Sequence, residues 1–244
     1  TRDKSLRLPG HDAKGVLLGG VFLDQVKRGR PDNFGENVLV IGGGNVAFDV
    51  ARSAVRLGAK VELMCLEAAD EMPALPDEVR EGIEEGITIH NRVSPQKFEV
   101  VDGRVTGVAT LDVTGIEFDD LGRLMPVTVP GSDRVIKADT VVFAIGQGPD
   151  VDPLKEIGFE LNERGLVRVD PDSLSTNIKG LYAGGDAASG PTTVVAAMGM
   201  GRKAARVISA DLGQPIKDIN VFGDLKPVDA ATSIELGHKA GHKT

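Results

Sequence analysis

Residues 38–67 read VLVIGGGNVAFDVARSAVRLGAKVELMCLE. The apolar run at 38–41 suits a strand buried on both faces. Three glycines then turn the chain, and the following segment carries helical spacing until Gly58, a natural helix stop. That spacing predicts Val46, Val50, Ala54 and Val55 on the face toward a sheet. Residues 61–66 form a second strand, closed by the acid Glu67. A strand, a crossover helix and a second strand make a parallel pair, which commits the chain to an α/β fold.

The turn has a chemical meaning of its own. Gly42-Gly43-Gly44-Asn45-Val46-Ala47 fits G-x-G-x-x-A. In that pattern the first glycine permits the sharp turn, the second lets the backbone approach a pyrophosphate, and the small last residue allows helix–strand packing. The helix start then offers unpaired N–H groups and a positive dipole end to phosphates. Dinucleotide binding is the expectation. Glu67, twenty residues beyond Ala47, can accept hydrogen bonds from the adenosine ribose hydroxyls and would repel a 2′-phosphate. No Arg stands between Cys65 and Pro76 to clamp such a phosphate, so NADH is expected over NADPH. A solvated surface glutamate is the alternative reading of Glu67.

Composition narrows the remaining classes. A net charge of −8 without a basic stripe argues against a nucleic-acid partner. No apolar run is long enough to span a bilayer, and the opening TRDKSLRLPG is not a signal peptide. The lone Cys65 excludes an intrachain disulfide and a CxxC redox pair, which fits a cytoplasmic location. Plentiful glycine (31 residues), a single Tyr and no Trp suit a parallel sheet with tight turns better than an aromatic-packed sandwich.

Along the chain, 16–29 reads as a short amphipathic helix and PDEVREGIEEG (76–86) as an acidic helix. From 88 to about 137 the pattern is a β-meander, with Asp102-Gly103 as a hairpin turn and 120–122 as a loop. DTVVFAIG (139–146) returns to a buried strand ending in glycine. Further on, 153–157 suggests a short helix, GLVRVDP (165–171) and GLYAGGDAAS (180–189) strands, and 192–212 a long helix. From about 214 the pattern is weak.

GGGNVAFDVARSAVRLGA, EMPA (71–74), AIGQ (144–147) and GLYAGGDAASGPTTVVAAMGMGRKAA stand in this order over residues 8–212. Together they resemble the glutamate synthase small-subunit family, a branch of the two-dinucleotide-domain flavoprotein reductases. The resemblance implies an FAD domain interrupted by an NAD(P)H domain, with hydride passing from nicotinamide to FAD and electrons going on to a partner subunit. The implied fold is a Rossmann-like NAD(P)-binding domain with a β-meander insertion, plus the C-terminal part of an FAD-binding Rossmann-like domain. Its division would be a crossover segment (1–33), the NAD(P)H domain (34–146), the FAD part (147–213) and an irregular tail (214–244).

Carried over by position, Gly42, Gly43, Gly44, Asn45, Val46, Glu67 and Gly146 would hold the nicotinamide dinucleotide. Gly185 and Asp186 would meet the flavin's sugar chain, and Thr193 and Val194 would open a helix toward its pyrimidine edge. The resemblance names no catalytic residue, because aligned cofactors carry the chemistry. Members of the resembled family that use NADPH usually carry an Arg pair where this chain has Leu66-Glu67. Nothing before Gly42 resembles the family's first glycine motif or its iron–sulfur segment. The expected partner is therefore an electron-accepting subunit or the FAD and iron–sulfur portion itself. A binding module that holds NAD(H) for regulation or assembly, without turnover, is the competing expectation.

The remaining polar residues carry plainer readings. Asp49 and Arg52 are expected to form a surface ion pair along one helix. Asp77, Glu78, Glu81, Glu84 and Glu85 are expected to make a solvated acidic face, and His238 and His242 to belong to the tail rather than to a metal site.

Overall fold

The computed structural model describes residues 2–29, 34–119 and 124–216. They fall into two compact units, the described residues up to 157 with 189–191 forming one, and 158–188 with 192–216 the other.

The first unit opens with β1 (Arg2–Asp3), β2 (Val16–Leu18) and α1 (Gly19–Arg28), followed by β3 (Asn37–Ile41), α2 (Asn45–Arg56) and β4 (Lys60–Met64). Next come α3 (Pro76–Glu84), β5 (Thr88–His90), β6 (Val93–Val101), β7 (Arg104–Phe118), β8 (Leu124–Thr128), β9 (Arg134–Lys137), β10 (Thr140–Phe143), β11 (Gln147–Gly148) and α4 (Asp152–Glu156). The segment expected as one helix at 16–29 thus divides, its first three residues pairing as a parallel strand with β10.

Five strands make an all-parallel sheet in the order β2-β10-β3-β4-β5. Side chains alternate across it. Val38, Val40, Val61, Leu63 and Val142 point to one face, where they pack with Phe22 of α1 and with Ala47, Phe48, Val50, Ala51 and Ala54 of α2. Leu39, Ile41, Met64, Val141 and Phe143 point to the other and meet Val93, Phe98, Val105, Val108 and Ile136 of the antiparallel meander. The buried stripe of α2 is set one position from the expected one: Val50 and Ala54 are fully buried, while Val46 and Val55 sit at its margins. A parallel sheet covered on both faces accounts for the unbroken apolar runs of its strands.

The meander hairpin turns at Asp102-Gly103, both with positive φ (49° and 74°), as a two-residue hairpin loop requires. β7 pairs with β6, β8 and β9. Phe98 meets Phe143 edge-on at 5.7 Å between ring centroids, joining the two sheets. The loop expected at 120–122 and the tail histidines lie outside the described residues.

The second unit holds α6 (Val194–Asp211) and all but the last residue of α5 (Asp186–Ser189). The strand expected at 165–171 is reduced to a single bridge between Leu161 and Val167. The reason is local: the Asn162 side chain accepts from the N–H groups of Arg164 and Leu166 and curls the chain into a turn. The strand expected at 180–189 is likewise one bridge, Ser175 to Tyr182, running into α5.

Candidate functional site

β3 ends at Ile41, and the chain turns at Gly42 with φ +140°. Only glycine fits there. A Cβ at Gly42 would lie 2.3 Å from the carbonyl oxygen of Ala144, at the end of the neighbouring β10. The strand order reverses at this pair, with β4 and β5 on one side of β3 and β10 and β2 on the other. In open parallel sheets, ligands bind at such a switch point, beyond the carboxyl ends of the strands.

Gly44 is the N-cap of α2 in an extended conformation, with no side chain to satisfy the helix start. Among the described residues nothing accepts from the N–H groups of Gly43, Gly44, Asn45 or Val46. Four backbone donors therefore open onto one space, the arrangement that suits a phosphate. The space itself is a cleft of about 540 Å³ lined by all seven residues expected there: Gly42, Gly43, Gly44, Asn45, Val46, Glu67 and Gly146.

Glu67 stands just past β4 with its carboxylate over the turn. Its Oε2 lies 3.0 Å from where a Cβ on Gly43 would be, so the middle glycine makes room for the acid. Cys65 lies beneath, 3 % exposed. Burial pushes its thiol up to about 11, and the neighbouring Glu67 carboxylate adds to the rise. A thiol so held is neutral at physiological pH and is no nucleophile.

Several wall residues carried no usable sequence signal. Leu6, Val93, Ser94, Pro95, Leu124 and Pro126 complete the cleft from the first segment and the meander. The EMPA stretch has a role that only the structure shows. The Ala74 N–H donates to the Gly43 carbonyl (3.1 Å), and the Leu75 N–H donates to Asn45 Oδ1 (2.8 Å). The 68–75 loop is thereby moored on the glycine turn, and Pro73 becomes part of the wall. Asn45 Oδ1 is committed to this contact.

Two electrostatic expectations need correction. Arg52 does not pair with Asp49. It reaches across to α3, contacting Glu78 (2.8 Å), Glu81 (2.7 Å) and Glu85 (2.9 Å) with its own side chain only 17 % exposed. Arg56 adds a second contact to Glu85 (2.7 Å), and Arg80 pairs with Asp77 and Glu84 along α3. The acidic face of α3 is thus not simply solvated: the α2–α3 packing brings cations to it that lie far away in sequence. The hydrogen bond from Arg56 and then those from Arg52 hold the Glu85 carboxyl below its usual range. Asp49 is pushed up by partial desolvation and by the Glu78 charge, against the opposing pull of Arg52, which makes no direct contact with it.

In the second unit, Gly185 takes φ +60° and its N–H donates to Met200 Sδ at 3.1 Å. Asp186 follows at the start of α5, half-buried, and no described residue meets its carboxylate. Thr193 caps α6 by accepting from the Ala196 N–H at 3.2 Å, which leaves the N–H groups of Val194 and Val195 without an acceptor among the described residues. These four expected residues, Gly185, Asp186, Thr193 and Val194, lie in the second unit and are not part of the cleft described above.

A glycine turn at the switch point of a parallel sheet, with four free amides and an acid past the second strand, defines a Rossmann-like α/β protein whose cleft has the features that suit a dinucleotide. The comparisons make the class more particular. Residues 1–201 match the model of the pyridine nucleotide-disulphide oxidoreductase family, and the chain belongs to it. The chain is 41 % identical over 202 residues to the beta subunit of the NADP(+)-dependent formate dehydrogenase of Moorella thermoacetica, covering 82 % of this chain and 28 % of that protein. It is 38 % identical over 233 residues to the beta subunit of the NADPH-Fe(3+) oxidoreductase of Geobacter sulfurreducens, covering 85 % and 35 %. The glutamate synthase [NADPH] small chain of Halomonas elongata is 38 % identical over 178 residues, covering 70 % and 37 %. This chain spans about a third of the length of these relatives.

Among solved structures, the thioredoxin reductase of T. acidophilum superposes with a TM-score of 0.69 at 25 % identity, over 88 % of this chain and 64 % of that one. That of Lactococcus lactis gives 0.65 at 20 %, over 86 % and 62 %, a likeness of fold. The fold is thus α/β and Rossmann-like, a parallel sheet with its antiparallel meander, of the type seen in these reductases. No helix among the described residues is long and apolar enough to cross a membrane.

Proposed function

We propose that this chain is the NAD(P)H-binding portion of a flavin-dependent oxidoreductase, preferring NADH and passing electrons to a partner subunit. The observation that carries the reading is the set of four unpaired amides, Gly43 to Val46, opening into the cleft that Glu67 overhangs. The amides would bind the pyrophosphate, and Glu67 would accept from the adenosine ribose. Gly146, at φ +101° beyond β10, would leave backbone room at the opposite side of the turn.

The names of the relatives carry NADP(H), and Glu67 weighs against that choice here: its charge would face a 2′-phosphate with no Arg between Cys65 and Pro76 to offset it. In the second unit, Asp186 has a carboxylate without a described partner, Gly185 allows close backbone approach, and Thr193 and Val194 open the free end of α6. That donor set fits FAD, with Asp186 accepting from a sugar-chain hydroxyl and the helix end favouring negative charge. The bound flavin would supply the hydride acceptor, and the protein's part is to bind, orient and keep water out. The corresponding division is 34–146 for NAD(P)H and 147–213 for FAD.

The test is optical. The purified chain, supplied with FAD, should show a flavin spectrum that bleaches on adding NADH. A protein that binds NADH but never takes up flavin would establish a binding module without turnover instead. Tighter binding of NADPH than of NADH would overturn the assigned preference.

A further inference from the structure

The carboxylate of Glu67 meets a ribose at least cost when its backbone is held still, and the strand that brings it there has already ended at Met64. Three donors converge on the Glu67 carbonyl. They are the Arg92 N–H at 3.1 Å, Asn91 Nδ2 at 3.3 Å and the Cys65 thiol at 3.7 Å. The same Asn91 amide nitrogen lies 3.4 Å from Cys65 Sγ, so one side chain bridges the strand end and the acid beyond it.

The junction between β5 and β6 is bent to make this possible. Arg92 adopts φ +55°, a left-handed conformation uncommon for a residue with a side chain, and it persists where surrounding contacts over-determine it. Those contacts are present: the Cys65 N–H donates to the His90 carbonyl (3.1 Å), the Val93 N–H to the Cys65 carbonyl (2.9 Å), and the Val113 N–H to the Arg92 carbonyl (2.8 Å). Residues 90–93 therefore wrap the end of β4, and Asn91 is the one side chain of this wrap that reaches Glu67.

We infer that Asn91 is a positioning residue for dinucleotide recognition, which acts through the Glu67 main chain to hold the carboxylate over Gly43. The inference rests on the reading of Glu67 as the adenosine-ribose acceptor and names the device that makes that acceptor rigid. Preorganisation of this kind lowers the ordering cost paid on binding. Its loss is felt only by ligands that carry the adenosine ribose.

That selectivity gives the test. Asn91→Asp keeps the side-chain shape but turns a carboxylate toward the Glu67 carbonyl, and Asn91→Ala removes the donor without adding charge. Binding of NADH, ADP-ribose and reduced nicotinamide mononucleotide would be measured by calorimetry on the full chain, with thermal unfolding alongside. Both variants should bind NADH and ADP-ribose about tenfold more weakly, the scale of one or two lost hydrogen bonds. Reduced nicotinamide mononucleotide, which lacks the adenosine, should bind within about twofold of wild type. Unchanged NADH binding by Asn91→Ala overturns the proposal, and so does an equal loss for all three ligands. Glu67→Ala, run beside them, separates the two levels. If it weakens NADH while the Asn91 variants do not, only the role of Asn91 falls. If it has no effect, the ribose reading falls and takes this inference with it.

Discussion

Gly42 and Gly44 stand two residues apart in one motif, yet the structure assigns their glycines to different needs. Replacing Gly42 by Ala puts a methyl at φ +140°, 2.3 Å from the Ala144 carbonyl oxygen and 2.8 Å from its carbon. Ordinary contact begins at 3.4 Å, so the ends of β3 and β10 would have to part by about an ångström. The Ala144 N–H to Ile41 carbonyl bond, 2.8 Å long, spans that same gap. Backbone strain of ~1–3 kcal/mol and one lost bond of ~1 kcal/mol give a destabilisation of about 3 kcal/mol. That is a large share of the ~5–15 kcal/mol that holds an ordinary domain together.

Gly44→Ala is the contrasting case. Its φ is −93° and its added Cβ meets nothing within 4 Å, so stability should stay within ~0.5 kcal/mol of wild type. The open space it fills, however, is the cleft. NADH binding should weaken by about tenfold or more, because the backbone can no longer approach the pyrophosphate. Urea unfolding followed by circular dichroism reads the first effect, and fluorescence titration with NADH the second. A Gly42→Ala protein that unfolds within about 1 kcal/mol of wild type would refute the steric argument. A Gly44→Ala protein with unchanged NADH affinity would refute the placement of the phosphates.

Glu67→Arg should weaken NADH binding by about tenfold and bring NADPH level with it or ahead, read from paired titrations; an unchanged ratio would remove Glu67 from cofactor choice. The Cys65 thiol is pushed up to about 11 from an ordinary 9.0, so its contribution to stability is intact below pH 9 and is lost as pH rises toward 11. Titration of thiolate absorbance in the folded protein should therefore show no inflection near 9. Asp139 behaves in the opposite sense. Hydrogen bonds from the Asn37 side chain and N–H, both 2.9 Å, hold its carboxyl below the ordinary 3.8. Its stabilisation is present above that value and is lost as pH falls through the depressed one, so Asp139→Asn should flatten the acid limb of a stability–pH curve.

Much of the site was legible in the linear chain because its logic is local. A glycine turn between an apolar run and a helix requires only neighbours in sequence, and Gly42 to Val46 stand where that pattern puts them. Glu67 follows by counting along one βαβ unit, and the alternating faces of β3 and β4 follow from the period of a strand. The pairing of β2 with β10 was not legible, since three apolar residues before a helix are equally good as its first turn. The strands expected at 165–171 and 180–189 failed for the opposite reason: apolar content predicted them, but side-chain bonds from Asn162 drew the first into a turn.

By itself, then, the sequence determined the βαβ half of the first unit: the turn, the crossover helix, the acid beyond the second strand and the parallel character of the sheet. The tertiary structure alone decided which distant groups stabilise them. Arg52 meets two acids of α3 and Glu85 at its C-terminal cap instead of Asp49 in its own helix, the EMPA loop hangs from Gly43 and Asn45, and Asn91 closes on the Glu67 carbonyl. Each is a hydrogen bond or ion pair between groups 24 to 33 residues apart. Periodicity tells which face a residue presents, whereas a partner is chosen by the packing of whole elements, and that exists only once the chain has folded.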